Sequence, residues 1–195
     1  MAAEYVIINT NKFGTGGENP LAQTVCLIKL EELIMPAEMK LDHPDYHSQK
    51  GMQEYMEEVA RYFREELTGT IAERIPLYIH EVNYEKKTLT TVLTPTPWMA
   101  DRTGGMSNGA FSVALDETMG FLGLYIANLP MTPTVTMQLS LLRPIPIDKK
   151  LYIKTRLMGT DGVKLDLTAT AWSEGMKDSP ACTAVGIYFA PKQKA

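Results

Sequence analysis

Between residues 110 and 128, apolar side chains cover every side of a helical projection. The chain therefore predicts one long helix with no solvent-facing stripe, lying inside the protein. Residues 48–67 are patterned differently: Met52, Tyr55, Met56, Val59, Tyr62, Phe63 and Leu67 recur at helical spacing, with Glu54, Glu57, Glu58, Arg61, Arg64 and Glu65 elsewhere. That spacing predicts an amphipathic helix docking one face, and packing against the rest of the chain is a simpler use of that face than recruiting a partner. From residue 77 the pattern changes to alternation. Residues 77–84 and 88–93 flank Glu85-Lys86-Lys87 and predict a hairpin. After the long helix, Val135, Met137, Leu139 and Leu141 alternate with Thr134, Thr136, Gln138 and Ser140, the pattern of a strand with one buried face. Segments 151–160, 163–172 and 181–190 read as three more strands. The predicted order is hairpin, buried helix, four-stranded meander.

The first part of the chain is less regular. Residues 5–8 are a short β-prone run, and 11–20 are a loop by composition, because no Lys-Ser/Thr follows Gly14-Thr15-Gly16-Gly17 to make a phosphate cradle. Residues 21–35 are apolar with a charged end, which leaves helix and strand both open, with the second half leaning to helix. His43 and His47 lie four apart beside Asp42 and Asp45, a metal-like spacing on an intact helix. Pro44 breaks that helix, so the segment reads as a turn leading to the next helix's N-cap.

With 195 residues and 45% apolar content, the chain buries one substantial core. The expected division is an N-terminal extension, 1–70, carrying the amphipathic helix, and a domain at 71–195. That domain is of the α+β class, a central helix wrapped by a five- or six-stranded antiparallel sheet. The net charge of −4 is spread without a long like-charged block, so neither nucleic acid nor an anionic membrane is an expected partner. Cys26 and Cys182 lie too far apart for a zinc or redox pair and read as buried thiols in a reducing compartment. The start MAAEYVIINT lacks the basic end and apolar run of a secretion signal, so a soluble cytoplasmic protein is expected. Residues 110–127 come closest to a membrane span, but Asp116 and Glu117 at their centre argue against one.

Asp116 is the chemical anomaly of the chain. An ionised carboxylate in apolar surroundings costs several kcal/mol unless it is paired, hydrogen-bonded or neutralised. Its sequence context is specific. Asp101 is followed six positions later by Ser107-Asn108-Gly109, Asp116 lies nine positions after Ser107 within Leu115-Asp116-Glu117-Thr118-Met119-Gly120, and Arg143-Pro144-Ile145-Pro146 follows downstream. Over residues 77–191 this resembles the hotdog-fold thioesterases, in particular the group of the phenylacetate-pathway thioesterase and the small acyl-CoA thioesterases. In that group an Asn or Gln precedes His-Gly-Gly by six positions, the helix then starts, and an acidic residue lies nine positions after the His. Here Asp101 stands at the amide, Ser107 at the His and Asn108 at the first Gly. The resemblance implies a hotdog fold and hydrolysis of an acyl-CoA without metal or organic cofactor. It also implies a homodimer, with a tetramer as a further assembly.

Under that resemblance Asp116 is base or nucleophile, and Thr134, at the position of a serine in some relatives, helps to place the water. The Asn108 N–H holds the thioester oxygen, Ser107 caps the helix, and Asp101 lies beside the oxyanion position. The residues themselves set one constraint. Asn108 and Asp116 are about 12 Å apart along a helix, too far to share one carbonyl, so two helices laid antiparallel across a two-fold would pair the N–H of one copy with the carboxylate of the other. Glu117 points about 100° away and is the weaker candidate. For substrate contacts the sequence offers Gly109 at the helix start and a basic group of Arg143, Lys149, Lys150, Lys154 and Arg156 for coenzyme A phosphates, which a solvated strand face explains equally well. Met99, Met106, Met119 and Phe111 are the expected apolar walls. The main alternative is a protein of the same fold that binds an acyl-CoA or lipid without cleaving it. A scaffold whose N-terminal helix recruits a partner is a third class, and a dehydratase would need a histidine near the helix start.

Overall fold

The structure, a computed structural model, describes residues 5–7, 27–29, 45–129 and 131–190. Two compact units divide the chain, Met1–Glu38 and Met39–Ala195. In the first, β1 (Tyr5–Ile7) pairs antiparallel with β2 (Leu27–Lys29). β1 falls on the predicted β-prone run. β2 makes a strand where the sequence begins to lean towards helix, and residues 30–35 lie outside the described residues. So do the loop at 11–20, Cys26, residues 42–44 and Pro130.

The second unit runs α1 (Gln49–Glu65), a short α2 (Ile71–Arg74), β3 (Tyr78–Asn83), β4 (Thr88–Leu93), α3 (Asn108–Ala127), β5 (Thr134–Leu141), β6 (Leu151–Thr160), β7 (Lys164–Ser173) and β8 (Cys182–Phe189). Six antiparallel strands in the order β3-β4-β6-β7-β8-β5 wrap α3, which packs against β4 through β8. This is the hotdog fold. The chain enters α3 through a stitched loop, in which Asp101 N donates to Gly105 O at 2.8 Å, Met106 N to Ile145 O at 2.8 Å and Ser107 N to Met99 O at 2.7 Å. Ser107 then caps the helix, its Oγ accepting from Ala110 N at 3.2 Å. Asn128 closes it in the left-handed region at φ 52°, a conformation that asparagine tolerates better than most residues.

Two expectations are corrected. The first concerns β5. It is not the first strand of a meander: β6 pairs with β4, and β5 crosses to the far edge beside β8, leaving a three-stranded meander β6-β7-β8. The nine residues 142–150 are too long and too proline-marked for a hairpin and instead carry the chain across. The expected inward face of β5 is buried only in its middle, where Met137 and Leu139 are half-buried against the core, while Val135 and Leu141 stay 44% and 43% exposed. The physical reason is its place at the edge, with a neighbour on one side only. The second correction concerns α3, which is buried along most of its length but not all round. Ser112, Val113, Asp116, Glu117 and Gly120 are half-buried, and Asn108 and Gly109 are exposed.

Helix α1 is held against the sheet and α3, as its apolar face predicts. Ser48 caps it, accepting from Gly51 N at 3.0 Å, and Met52, Met56, Val59 and Ala60 are buried. Polar groups clamp both ends to β3. Gln49 Nε2 donates to Val82 O at 3.0 Å and its Oε1 accepts from Tyr84 N at 2.9 Å, while Arg64 Nη1 donates to Leu77 O at 2.7 Å. Just ahead of the helix, the rings of Tyr46 and Tyr125 stack at 4.6 Å, and each hydroxyl donates to the other residue's carbonyl. These fixed contacts set the position of Phe63, which packs edge-on against Phe121 at 4.9 Å.

Candidate active site

Beside the half-open side of α3 lies a cleft of about 180 Å³. Its floor is the helix stripe Asp116, Glu117, Gly120, Phe121 and Leu124; its walls come from Phe63 of α1, residues 131–134 leading into β5, and Tyr188 of β8. A polar end thus faces an apolar one. The polar end is organised by Asp116, whose Oδ1 accepts from Thr134 Oγ1 at 2.7 Å and from Tyr188 Oη at 2.7 Å. Both donors fall on one oxygen, so Oδ2 carries no hydrogen bond among the described residues. Each donor has its own local cause. Strand alternation on β8 turns Cys182, Ala184, Gly186 and Tyr188 inward, and a buried tyrosine hydroxyl needs a partner, which Asp116 supplies. Burial first, and the Asp116 charge second, push the Tyr188 hydroxyl well above its ordinary range, so it remains a donor at any physiological pH. Thr134 is the first residue of β5 and pairs with Tyr188 in the ladder, which brings the two hydroxyls to the same carboxylate.

Glu117 shares the cleft. Burial first, and the neighbouring Asp116 charge second, push its carboxyl from 4.5 up to about 7. The Thr132 hydroxyl in the wall is buried and has no hydrogen-bond partner among the described residues.

The sequence-derived candidates separate into groups. Asp116 and Thr134 are brought into contact. Ser107, Asn108 and Gly109 form the N-terminus of α3, about 12 Å along the helix from Asp116. There Ser107 Oγ accepts from the Ala110 N–H, while the N–H groups of Asn108 and Gly109 donate no hydrogen bond to the described residues and both residues are exposed. Asp101 is turned to its own loop, Oδ1 accepting from Thr103 N at 2.7 Å and Thr103 Oγ1 at 2.6 Å, and the Thr103 hydroxyl does most to hold its carboxyl below the usual range. Arg143 and Lys150 are exposed near the two ends of the 142–150 crossing, and neither lines the cleft. Met99, Met106, Met119 and Phe111 are buried in the core and do not line the cleft either; the apolar walls are Phe63, Phe121, Leu124 and Met131. Tyr188 and Phe63 are the members that residue-by-residue reading missed. The inward alternation of β8 was the available signal for the first, and the helical spacing of 48–67 marks the second only as apolar.

No protein-family model and no curated protein sequence matches the chain. Solved structures do match. A phenylacetic acid degradation-related protein from Ralstonia eutropha JMP134 aligns at 21% identity and a TM-score of 0.56, over 67% of this chain and 98% of its own. Zebrafish thioesterase superfamily member 2 aligns at 9% identity and a TM-score of 0.61, over 70% and 96%. A hypothetical thioesterase protein from Streptococcus pneumoniae TIGR4, solved with coenzyme A, aligns at 13% and 0.53, over 61% and 91%. The fold likeness therefore extends over nearly the whole length of each of these proteins.

Proposed function

We propose that this protein is an acyl-CoA thioesterase, and one observation carries the reading: a carboxylate fixed by two hydroxyls on one oxygen, with no hydrogen bond on its other oxygen among the described residues, in the lining of a cleft whose far end is apolar. The fold shared with thioesterase-superfamily structures supports it. In the reaction, Asp116 Oδ2 takes a proton from a water that adds to the thioester carbonyl carbon. The carbonyl oxygen, becoming an anion, is met by the N–H of Asn108 at the N-terminus of a helix, where the unpaired amides and the helix dipole favour negative charge. The C–S bond then breaks. The coenzyme A thiolate leaves and takes the proton that Asp116 holds, which restores the carboxylate, and the thiol and the acid are released. Thr134 and Tyr188 hold Asp116 at one rotation throughout.

Because Asp116 and Asn108 of one chain are about 12 Å apart, the reading requires a homodimer in which a second copy lends its helix N-terminus. Two features of the single chain support that requirement. The Asn108 and Gly109 amides lie on exposed residues and have no partner among the described residues, and β5 presents an exposed apolar edge that no described residue covers. The test is thiol release from a panel of acyl-CoAs. Asp116→Asn is expected to lower kcat by about a hundredfold or more while the protein keeps its fold. Unchanged turnover in that variant would remove Asp116 from the chemistry. Saturable binding of the thioesters by the native protein, with no thiol released, would replace hydrolysis by carriage.

A further inference from the structure

The cleft-lining positions of α3 form a stripe that runs from Asp116 past Glu117 and Gly120 to Phe121 and Leu124, about 12 Å in length. An acyl group whose thioester carbon lies at Asp116 and whose chain extends to the apolar end must pass Glu117. The groups that face Glu117 can be enumerated among the described residues. From its own helix comes Asp116, and from β8 comes the neutral Tyr188 hydroxyl. From α1 comes Phe63, and the 131–134 segment presents no titratable side chain. None of the lining residues is basic, and Glu117 has neither an ion pair nor a hydrogen bond from the described residues.

Resting on the hydrolase reading above, we propose that Glu117 is a specificity-determining residue which, with Asp116, restricts the cleft to acyl groups that carry no negative charge. Acyl-CoAs with aliphatic or aromatic chains enter. Those ending in a free carboxylate would bring a third acidic group to the Glu117 end of the lining, which has no basic side chain among the described residues and lies beyond the carbonyl that the second copy's helix N-terminus would meet, and they are refused. The filter depends on pH. With its proton held up to about 7 by burial and by Asp116, Glu117 is mostly neutral at pH 6 and mostly ionised at pH 8. Refusal of the anionic chain therefore sharpens across that range, whereas the substrate's own terminal carboxylate stays ionised throughout.

Pentanoyl-CoA and glutaryl-CoA test this, since they differ only in a terminal methyl against a terminal carboxylate. The ratio of their kcat/KM values is expected to favour pentanoyl-CoA and to rise about tenfold from pH 6 to pH 8, following the ionised fraction of Glu117. In Glu117→Gln the ratio should be smaller at pH 8 and flat with pH. A flat ratio in the native protein, or a pH-dependent ratio that survives in Glu117→Gln, overturns the inference while leaving the hydrolase reading in place. If neither thioester is cleaved, it is the hydrolase reading that fails, and the ratio of Kd values for the same two compounds carries the same two outcomes for Glu117.

Discussion

At the scale of single residues, adjacent carboxyls on α3 are given opposite surroundings. Asp116 meets two hydroxyl donors, whereas Glu117 meets burial and a like charge. The second condition has a consequence for stability that does not depend on any reaction. With its carboxyl raised from 4.5 to about 7, the folded protein holds a proton that the unfolded chain releases between those pH values. The folded state is therefore favoured below about pH 4.5, loses that advantage as pH rises towards 7, and carries the full cost of the buried charge above it. Each tenfold step in acidity is worth about 1.4 kcal/mol, which bounds the cost near 3 kcal/mol, and partial solvent access lowers it to about 1–2 kcal/mol. Glu117→Gln should accordingly raise Tm by roughly 3–6 °C at pH 8 and leave it unchanged at pH 4.5. Thermal melts at the two pH values check this, and an equal effect at both would show that the carboxyl is solvated. Asp116 was legible in the sequence because a charge amid apolar neighbours is conspicuous on its own. The role of Glu117 was not, since a 100° turn of a helix moves a side chain off a narrow stripe but not out of a wide cleft.

At the scale of elements, the same helix has to be stable and also leave room. Gly120 lies mid-helix, where glycine costs about 1 kcal/mol relative to alanine, yet a Cβ built there meets nothing within 4 Å. The open space is the cleft itself. Gly120→Ala is therefore expected to raise Tm by about 2–4 °C while raising KM for acyl-CoAs, because the added methyl occupies substrate volume. A variant that gained stability with KM unchanged would place the acyl group elsewhere. The elements differ in how far the sequence revealed them. Both long helices and all the strand segments of the second unit are local patterns, and they stand within a few residues of their expected bounds. The position of β5 is not a local property. Its alternation of Val135, Met137, Leu139 and Leu141 matches an inward face equally well beside β6 or beside β8, and only the length of the 142–150 crossing separates the two. The cleft walls escaped for a related reason: methionines around α3 look like lining from the sequence, but the sheet encloses them, whereas Phe63 arrives from a helix some fifty residues away in the chain.

At the scale of the whole molecule, the two groups that the proposed hydrolysis needs do not meet within one chain. Asp116 lies at the middle of α3 and amides with no partner among the described residues lie at its start, so on the hydrolase reading proposed above a second copy would bring its own start to the first copy's middle. The exposed apolar edge is where we propose such copies would join. Edge strands in soluble proteins are normally blunted by charge, proline or a covering loop. Among the described residues β5 has none of these along Thr134–Leu141, and Val135 and Leu141, together with Leu142 just beyond and Val185 of β8, are 43–53% exposed. Pairing this edge with its two-fold copy would continue the sheet across the molecule and set the two α3 helices side by side. Val135→Lys with Leu141→Lys tests this without touching the cleft chemistry. Both side chains are exposed in the single chain, so the substitutions should cost the folded monomer little. In a dimer joined at β5, each lysine would face its own copy or a desolvated neighbour. Sedimentation equilibrium is expected to show a dimer for the native protein and a monomer for the double variant, with thiol release lost in step with the dimer. Turnover retained in a demonstrated monomer would mean that the oxyanion is met from within the same chain, and the 12 Å separation along α3 would then have to be bridged by groups other than Asn108.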